Sequence, residues 1–157
     1  MKSIHQFLVL FSALMLTIFC ALPISAEERA TKEECVAKVN AAVKLIQEEG
    51  PDAAFKKIVA QDGPYVWKDS YVFCIGDKVG KNLAYPVPKF LGFPMKNFRD
   101  EEGNQPFVEI IEVANKEGKG WKSYYYSSKK DPKLKLKNNY FAKVPGENVI
   151  VIAGYYE

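Results

Sequence analysis

The sequence predicts an α+β domain, and three observations carry that reading. Apolar residues recur every three or four positions from about Glu27 to Glu49, the period of an amphipathic helix. From Tyr65 onward the period shortens to that of strands, with aromatic and β-branched side chains. The last third holds three strand-like runs separated by turn residues, the pattern of an antiparallel meander.

Before these elements comes an object of another kind. Residues Ile4 to Ile24 are almost wholly apolar, Lys2 supplies a positive start, and Leu22-Pro23-Ile24-Ser25-Ala26 breaks the run before a small residue. This is the pattern of a signal peptide cut after Ala26, leaving residues 27–157 as one domain in the periplasm or outside the cell. An uncleaved N-terminal anchor is the alternative that the length barely permits. A lipid-attachment reading of Cys20 is weaker, because the bulky Phe19 precedes it.

Losing residues 1–26 decides some of the chemistry. His5 is the single histidine, so the mature chain has no imidazole for Ser-His or Cys-His catalysis or for a histidine metal site. No metal, cofactor or catalytic residue is expected. The net charge is +3 and falls to +2 without Lys2, too little to argue for nucleic acid. Cys35 and Cys74 remain, and an even count in an oxidising compartment favours a disulfide between the first helix and the first long strand. Two separately buried thiols are the alternative.

In the first helix Val36, Val39, Val43 and Ile46 form the apolar stripe, Thr31 with Glu34 resembles a capping box, and Gly50-Pro51 stops it. A short second helix is predicted from Pro51 to about Ala60, and Gln61-Asp62-Gly63-Pro64 ends it. Tyr65 to Ile75 and Leu83-Ala84-Tyr85 read as paired strands around a polar turn. Pro86 to Arg99 reads as a packed irregular loop, and Pro106 to Lys116 as a third helix with Phe107, Ile110, Ile111 and Ala114 on one stripe. Trp121 to Ser127, Leu134 to Val144 and Val149 to Tyr156 complete the strands. The order fits a PAS-like antiparallel sheet with a long N-terminal helix.

Nine tyrosines stand among eighteen aromatic residues beyond Ala26. A tyrosine ring fills space while its hydroxyl makes one directed hydrogen bond, which suits a pocket for a small polar ligand. Phe55, Phe73 and Phe107 read as ordinary core. Tyr124 and Tyr126 must share one strand face and Tyr125 the other. Lys133, Lys135 and Lys137 alternate with Leu134 and Leu136, which reads as a half-buried strand with its lysines outward. Asp100-Glu101-Glu102-Gly103-Asn104 lacks the ligand spacing of a calcium loop and reads as a turn.

An ordered series of motifs now resembles a known family. It comprises Asp69-Ser70-Tyr71-Val72-Phe73, Ala84-Tyr85-Pro86, Asp100 to Gly103 followed by Pro106-Phe107-Val108, Gly120-Trp121-Lys122-Ser123-Tyr124-Tyr125-Tyr126, Lys137-Asn138-Asn139-Tyr140 and Ala153-Gly154-Tyr155-Tyr156. The series is similar to the single Cache domain of the second type, the extracytoplasmic sensor module of bacterial chemoreceptors and histidine kinases. The resemblance spans about Glu33 to Tyr156. It departs at Tyr85, where the family usually has histidine.

The resemblance implies a pocket on one sheet face for a small carboxylate or similar metabolite, lined by Trp67, Tyr71, Tyr85, Trp121, Tyr124, Tyr126, Lys137 and Tyr140. Lysine would neutralise the anion and the phenols would bond its oxygens. For Lys137 and Tyr140 to share that pocket, a bulge near Asn138-Asn139 is required, since their parity differs. The chain stops straight after the last strand, so the expectation is a freestanding sensor that passes its signal to a separate membrane chemoreceptor or histidine kinase. Two other readings stay open. One is a small exported enzyme in which Tyr126, Lys137 and Tyr140 meet as acid and base, and the other is a purely protein-interacting module.

Overall fold

The computed structural model describes residues 28–126 and 133–157. The leader reading of residues 1–26, with His5 and Cys20, lies outside the described residues. So does the turn expected at Lys129 to Pro132.

Helix α1, Lys32–Glu49, starts later than its periodicity predicts because Thr31 fixes its end. The Glu34 amide donates to the Thr31 hydroxyl at 3.2 Å and the Thr31 amide donates to the Glu34 carboxylate at 2.9 Å, satisfying two amides the helix itself leaves without partners. Cys35, Val39, Ala42 and Ile46 form its buried stripe. Gly50, at φ 80, ends it and admits Pro51 as the first residue of α2, Pro51–Ile58.

Strands β1, Val66–Trp67, and β2, Ser70–Gly76, join through a tight turn in which Lys68 takes φ 47. Strand β3, Asn82–Ala84, pairs with the far end of β2, and β1 with its near end. The loop 86–98 carries two short 3₁₀ turns, Pro88–Phe90 and Met95–Asn97. Helix α3, Pro106–Glu117, then leads into β4, Lys119–Tyr126, β5, Lys135–Lys143, and β6, Val149–Tyr156. Every pairing is antiparallel, in the order β1, β2, β6, β5, β4, with β3 also on β2. Asp100 accepts hydrogen bonds from the Glu102 and Asn104 amides, so this segment is a turn closed on itself.

Both faces of the sheet are covered. Against one lie α1 and α2, packed with Val72, Cys74, Val151 and Ala153. Against the other lie α3 and the 86–98 loop, packed with Phe73, Ile75, Ile150 and Ile152.

Two sequence expectations fail here. Cys35 and Cys74 are free, buried thiols and form no disulfide. Cys35 lies against Ser70, and four residues of extended strand separate Ser70 from Cys74. That is about 13 Å, against roughly 7 Å at most between bridged Cα atoms. Burial pushes the Cys35 thiol up to about 11 and the Cys74 thiol higher still, so neither is a ready nucleophile. The bulge near Asn138-Asn139 is also absent, because β5 keeps one unbroken register with β4 and with β6. At Gly154, opposite Asn139, a Cβ would overlap the Asn139 side chain, which accounts for glycine at a buried strand position.

Candidate functional site

Strict alternation along four strands divides the predicted site residues between two faces. On β2, Tyr71 and Phe73 point away from α1; on β4, Tyr124 and Tyr126 do so, and on β5, Lys137. Together with Tyr85, Phe90, Phe93, Met95 and Phe98 from the loop side and Phe107 from α3, they wall a cavity of about 120 Å³. Tyr125 takes the opposite face and is exposed, as the parity of the tyrosine run requires.

The walls are aromatic rings meeting at tilted or edge-to-face angles. Tyr85 stands 5.4 Å from both Tyr71 and Phe73, centroid to centroid, and Phe98 stands 5.5 Å from Phe107 and 5.6 Å from Tyr124. Rigid rings in this arrangement support one another but do not collapse into the space between them. The Tyr71 and Tyr85 hydroxyls share a hydrogen bond of 2.6 Å. Burial raises the pKa of Tyr71, Tyr124 and Tyr126 and brings Tyr85 up to about 12. All four therefore stay neutral donors at ordinary pH.

Among the described residues Lys137 is the one basic side chain of the wall. It is 4% exposed, and its ammonium lies 4.8, 5.1 and 5.6 Å from the ring centroids of Tyr71, Tyr156 and Tyr126. Among the described residues no salt bridge joins it to a carboxylate. Loss of hydration lowers its pKa to about 8, with the Asp69 carboxylate among the groups acting the other way. Near pH 7 it remains largely protonated. The wall thus presents a positive charge held by π faces beside several phenolic donors. Lys137 is the lysine of the run that turns inward, while Lys133 and Leu134 are exposed.

Five of the eight predicted residues, Tyr71, Tyr85, Tyr124, Tyr126 and Lys137, line the cavity. The other three lie on the helix face. Trp67 donates from its indole N–H to Glu34 at 3.3 Å and lies under Lys38, so it fastens α1. Trp121 stacks on Tyr140 at 5.2 Å, and Tyr140 belongs to the helix-side core. With Tyr140 across the sheet from Lys137, the acid-base trio of Tyr126, Lys137 and Tyr140 does not assemble. Phe73 and Phe107 serve as core and cavity wall at once. The parity of Tyr71 and Phe73 was a signal for the first; nothing in the sequence spacing brings the loop residues Phe90, Phe93, Met95 and Phe98 to the cavity. No cluster of three or more His, Cys, Asp or Glu side chains able to hold a metal occurs among the described residues.

A helix-backed antiparallel sheet with a walled cavity on its other face defines a PAS-like ligand-sensing domain. Residues 28–157 match the family described as Single Cache domain 2, and the chain belongs to that family. Its fold is similar to a periplasmic sensor domain of a chemotaxis protein, at 20% identity and TM-score 0.64 over 77% of this chain and 91% of that one. It is also similar to a Cache chemosensory domain whose structure concerns carboxylic acid recognition, at 18% identity and TM-score 0.67 over 79% and 91%. A third is a methyl-accepting chemotaxis protein from Vibrio parahaemolyticus RIMD 2210633, at 18% identity and TM-score 0.64 over 80% and 87%. Among curated protein sequences nothing matches.

Proposed function

We propose that residues 27–157 form an extracytoplasmic sensor that binds a small carboxylate in the aromatic cavity and relays its presence to a membrane chemoreceptor or histidine kinase, residues 1–26 being an export leader. The observation that carries this reading is the buried Lys137 ammonium, which lacks a carboxylate partner among the described residues and faces a cavity rimmed by phenols. Burying an unpaired charge is costly. A bound carboxylate would complete the pair, with Tyr71, Tyr85, Tyr124 and Tyr126 as hydrogen-bond donors. The carboxylic acid recognition reported for a Cache domain of similar fold supports the same class of ligand.

Cavity size bounds the ligand. A dry cavity of about 150 Å³ accommodates benzene, so a space of about 120 Å³ accepts roughly six non-hydrogen atoms or fewer, the range of short-chain acids.

Among the described residues the buried members of both hydrophobic clusters lie between Cys35 and Ala153, so residues 27–157 are suited to a thermal-shift series. Acetate, propionate and butyrate should raise the melting temperature, by an increment equivalent to about 2.7 kcal/mol when the ligand is at a hundred times its Kd. Amines of equal size and larger dicarboxylates should not. A shift with the amines alone would overturn the anion reading.

A further inference from the structure

Among the described residues eight large apolar side chains are exposed, and five of them lie between positions 79 and 93: Val79, Val87, Phe90, Leu91 and Phe93. Backbone bonds gather them on one surface. The Met95 amide donates to Gly80, the Asn82 amide to Phe93 and the Gly92 amide to Asn82, at 2.8 to 2.9 Å. The turn after β2 therefore lies beside the 90–95 stretch. Residues Val87 to Leu91 are all exposed around the Pro88–Phe90 turn, which makes this a projection and not a groove.

Phe90 and Phe93 also wall the cavity, so part of their surface has a use. Val79, Val87 and Leu91 do not, and Val79 and Leu91 are 61% and 57% exposed. The charge carried by this segment itself has one sign. Between Lys78 and Asn97 the sequence has four lysines and no carboxylate. The preceding acid, Asp77, is buried and joined to Lys143 at 2.9 Å.

An apolar projection ringed by ammonium groups complements a surface that is negative outside and apolar a few ångströms below. A protein partner would need an acid-rimmed hollow to receive a convex tip. We infer that this tip docks on an anionic lipid bilayer, with Val87, Phe90 and Leu91 at the acyl boundary and Lys78, Lys81 and Lys89 among the headgroups. Val79 lies in the turn at the Gly76 end of β2, and the antiparallel β3 carries the chain back along β2 before Val87.

Residues 27–157 should be floated with phosphatidylcholine vesicles, with and without about one-third phosphatidylglycerol. The apolar leader is omitted because it would enter any bilayer. Binding is expected to the anionic vesicles alone, falling about tenfold at roughly 0.5 M salt and about tenfold in the double variant Val87→Glu, Leu91→Glu. Hydrogen exchange at the amides of 87–93 should slow on the anionic vesicles only. The double variant should keep its carboxylate thermal shift, since neither residue lines the cavity. Absence of vesicle binding would overturn the inference in favour of an acidic protein partner. Binding that ignores the two substitutions would overturn it as well.

Discussion

The two faces of one sheet are packed in opposite ways. On the helix face the buried side chains are mostly small or branched, such as Val39, Ala42, Val72, Val151 and Ala153, and they fill the space against α1. On the other face Phe73, Phe98, Phe107, Tyr124 and Tyr126 meet at tilted or edge-to-face angles around a void, with a charged lysine in the wall. Aliphatic side chains adjust to one another, whereas rings held by their edges keep a gap open. If the proposed ligand occupies the second face, substitutions on the two faces should separate stability from binding.

The largest effect is expected on the closed face. Ile46, 1% exposed at the end of the α1 stripe, is buried in the helix-side core. Ile46→Ala should cost about 2–5 kcal/mol of stability in denaturant unfolding while leaving carboxylate affinity per folded molecule unchanged. A comparable loss of affinity would mean that the two faces are not independent.

Lys137→Met should act in the reverse sense. It removes a lone buried charge, so the free protein should become more stable. The carboxylate should bind about 1.5–3 kcal/mol more weakly, the usual worth of a charge-assisted hydrogen bond. Titration calorimetry on the variant checks the second part. Unchanged affinity would show that the phenols alone hold the ligand.

The same lysine predicts a pH dependence. Its pKa is about 8 in the fold against an ordinary 10.5. Below pH 8 both states are protonated and the fold bears the cost of the buried charge. Above it the unfolded chain binds more protons, so this group's contribution to stability rises with pH and levels off only above the ordinary lysine value. Carboxylate affinity should fall over the same range as the ammonium is lost. The raised thiol and tyrosine pKa values work the other way, because free thiols ionise at about 8.5 and free phenols at about 10 while the buried ones stay protonated. The contribution of Lys137 is therefore the difference between the parent and Lys137→Met between about pH 8 and 9.5: the variant's stability should fall more steeply with pH, and identical slopes would show that Lys137 contributes nothing.

Much of this division was legible in the sequence. Alternation put Tyr124 and Tyr126 together and Tyr125 across from them, and the capping box and stripe located α1. The resemblance to the family brought Tyr71, Tyr85 and Lys137 to one cavity. It failed where the required bulge at Asn138-Asn139 does not form, since plain parity sends Tyr140 to the helix face. The disulfide failed because two cysteines on facing elements were paired without regard to where along β2 the helix crosses. The contribution of the 86–98 loop was not legible at all, because an irregular segment has no period from which to read direction.

The smallest predicted effect comes from a matched pair of tyrosines that differ in face alone. Tyr126 lies in the cavity wall beside Lys137, and Tyr140 lies behind the sheet against Trp121. Tyr126→Phe keeps the ring and removes one donor facing the ligand, so carboxylate affinity should fall by about 0.5–1.5 kcal/mol. Tyr140→Phe removes the same atom from the other side and should leave affinity within about 0.5 kcal/mol of the parent. Calorimetric titration of both with one short-chain acid makes the comparison. An equal loss in the two variants would mean that the helix face senses the ligand through the sheet. Retained affinity in Tyr126→Phe together with a loss in Tyr140→Phe would place the carboxylate on the wrong side of the sheet altogether.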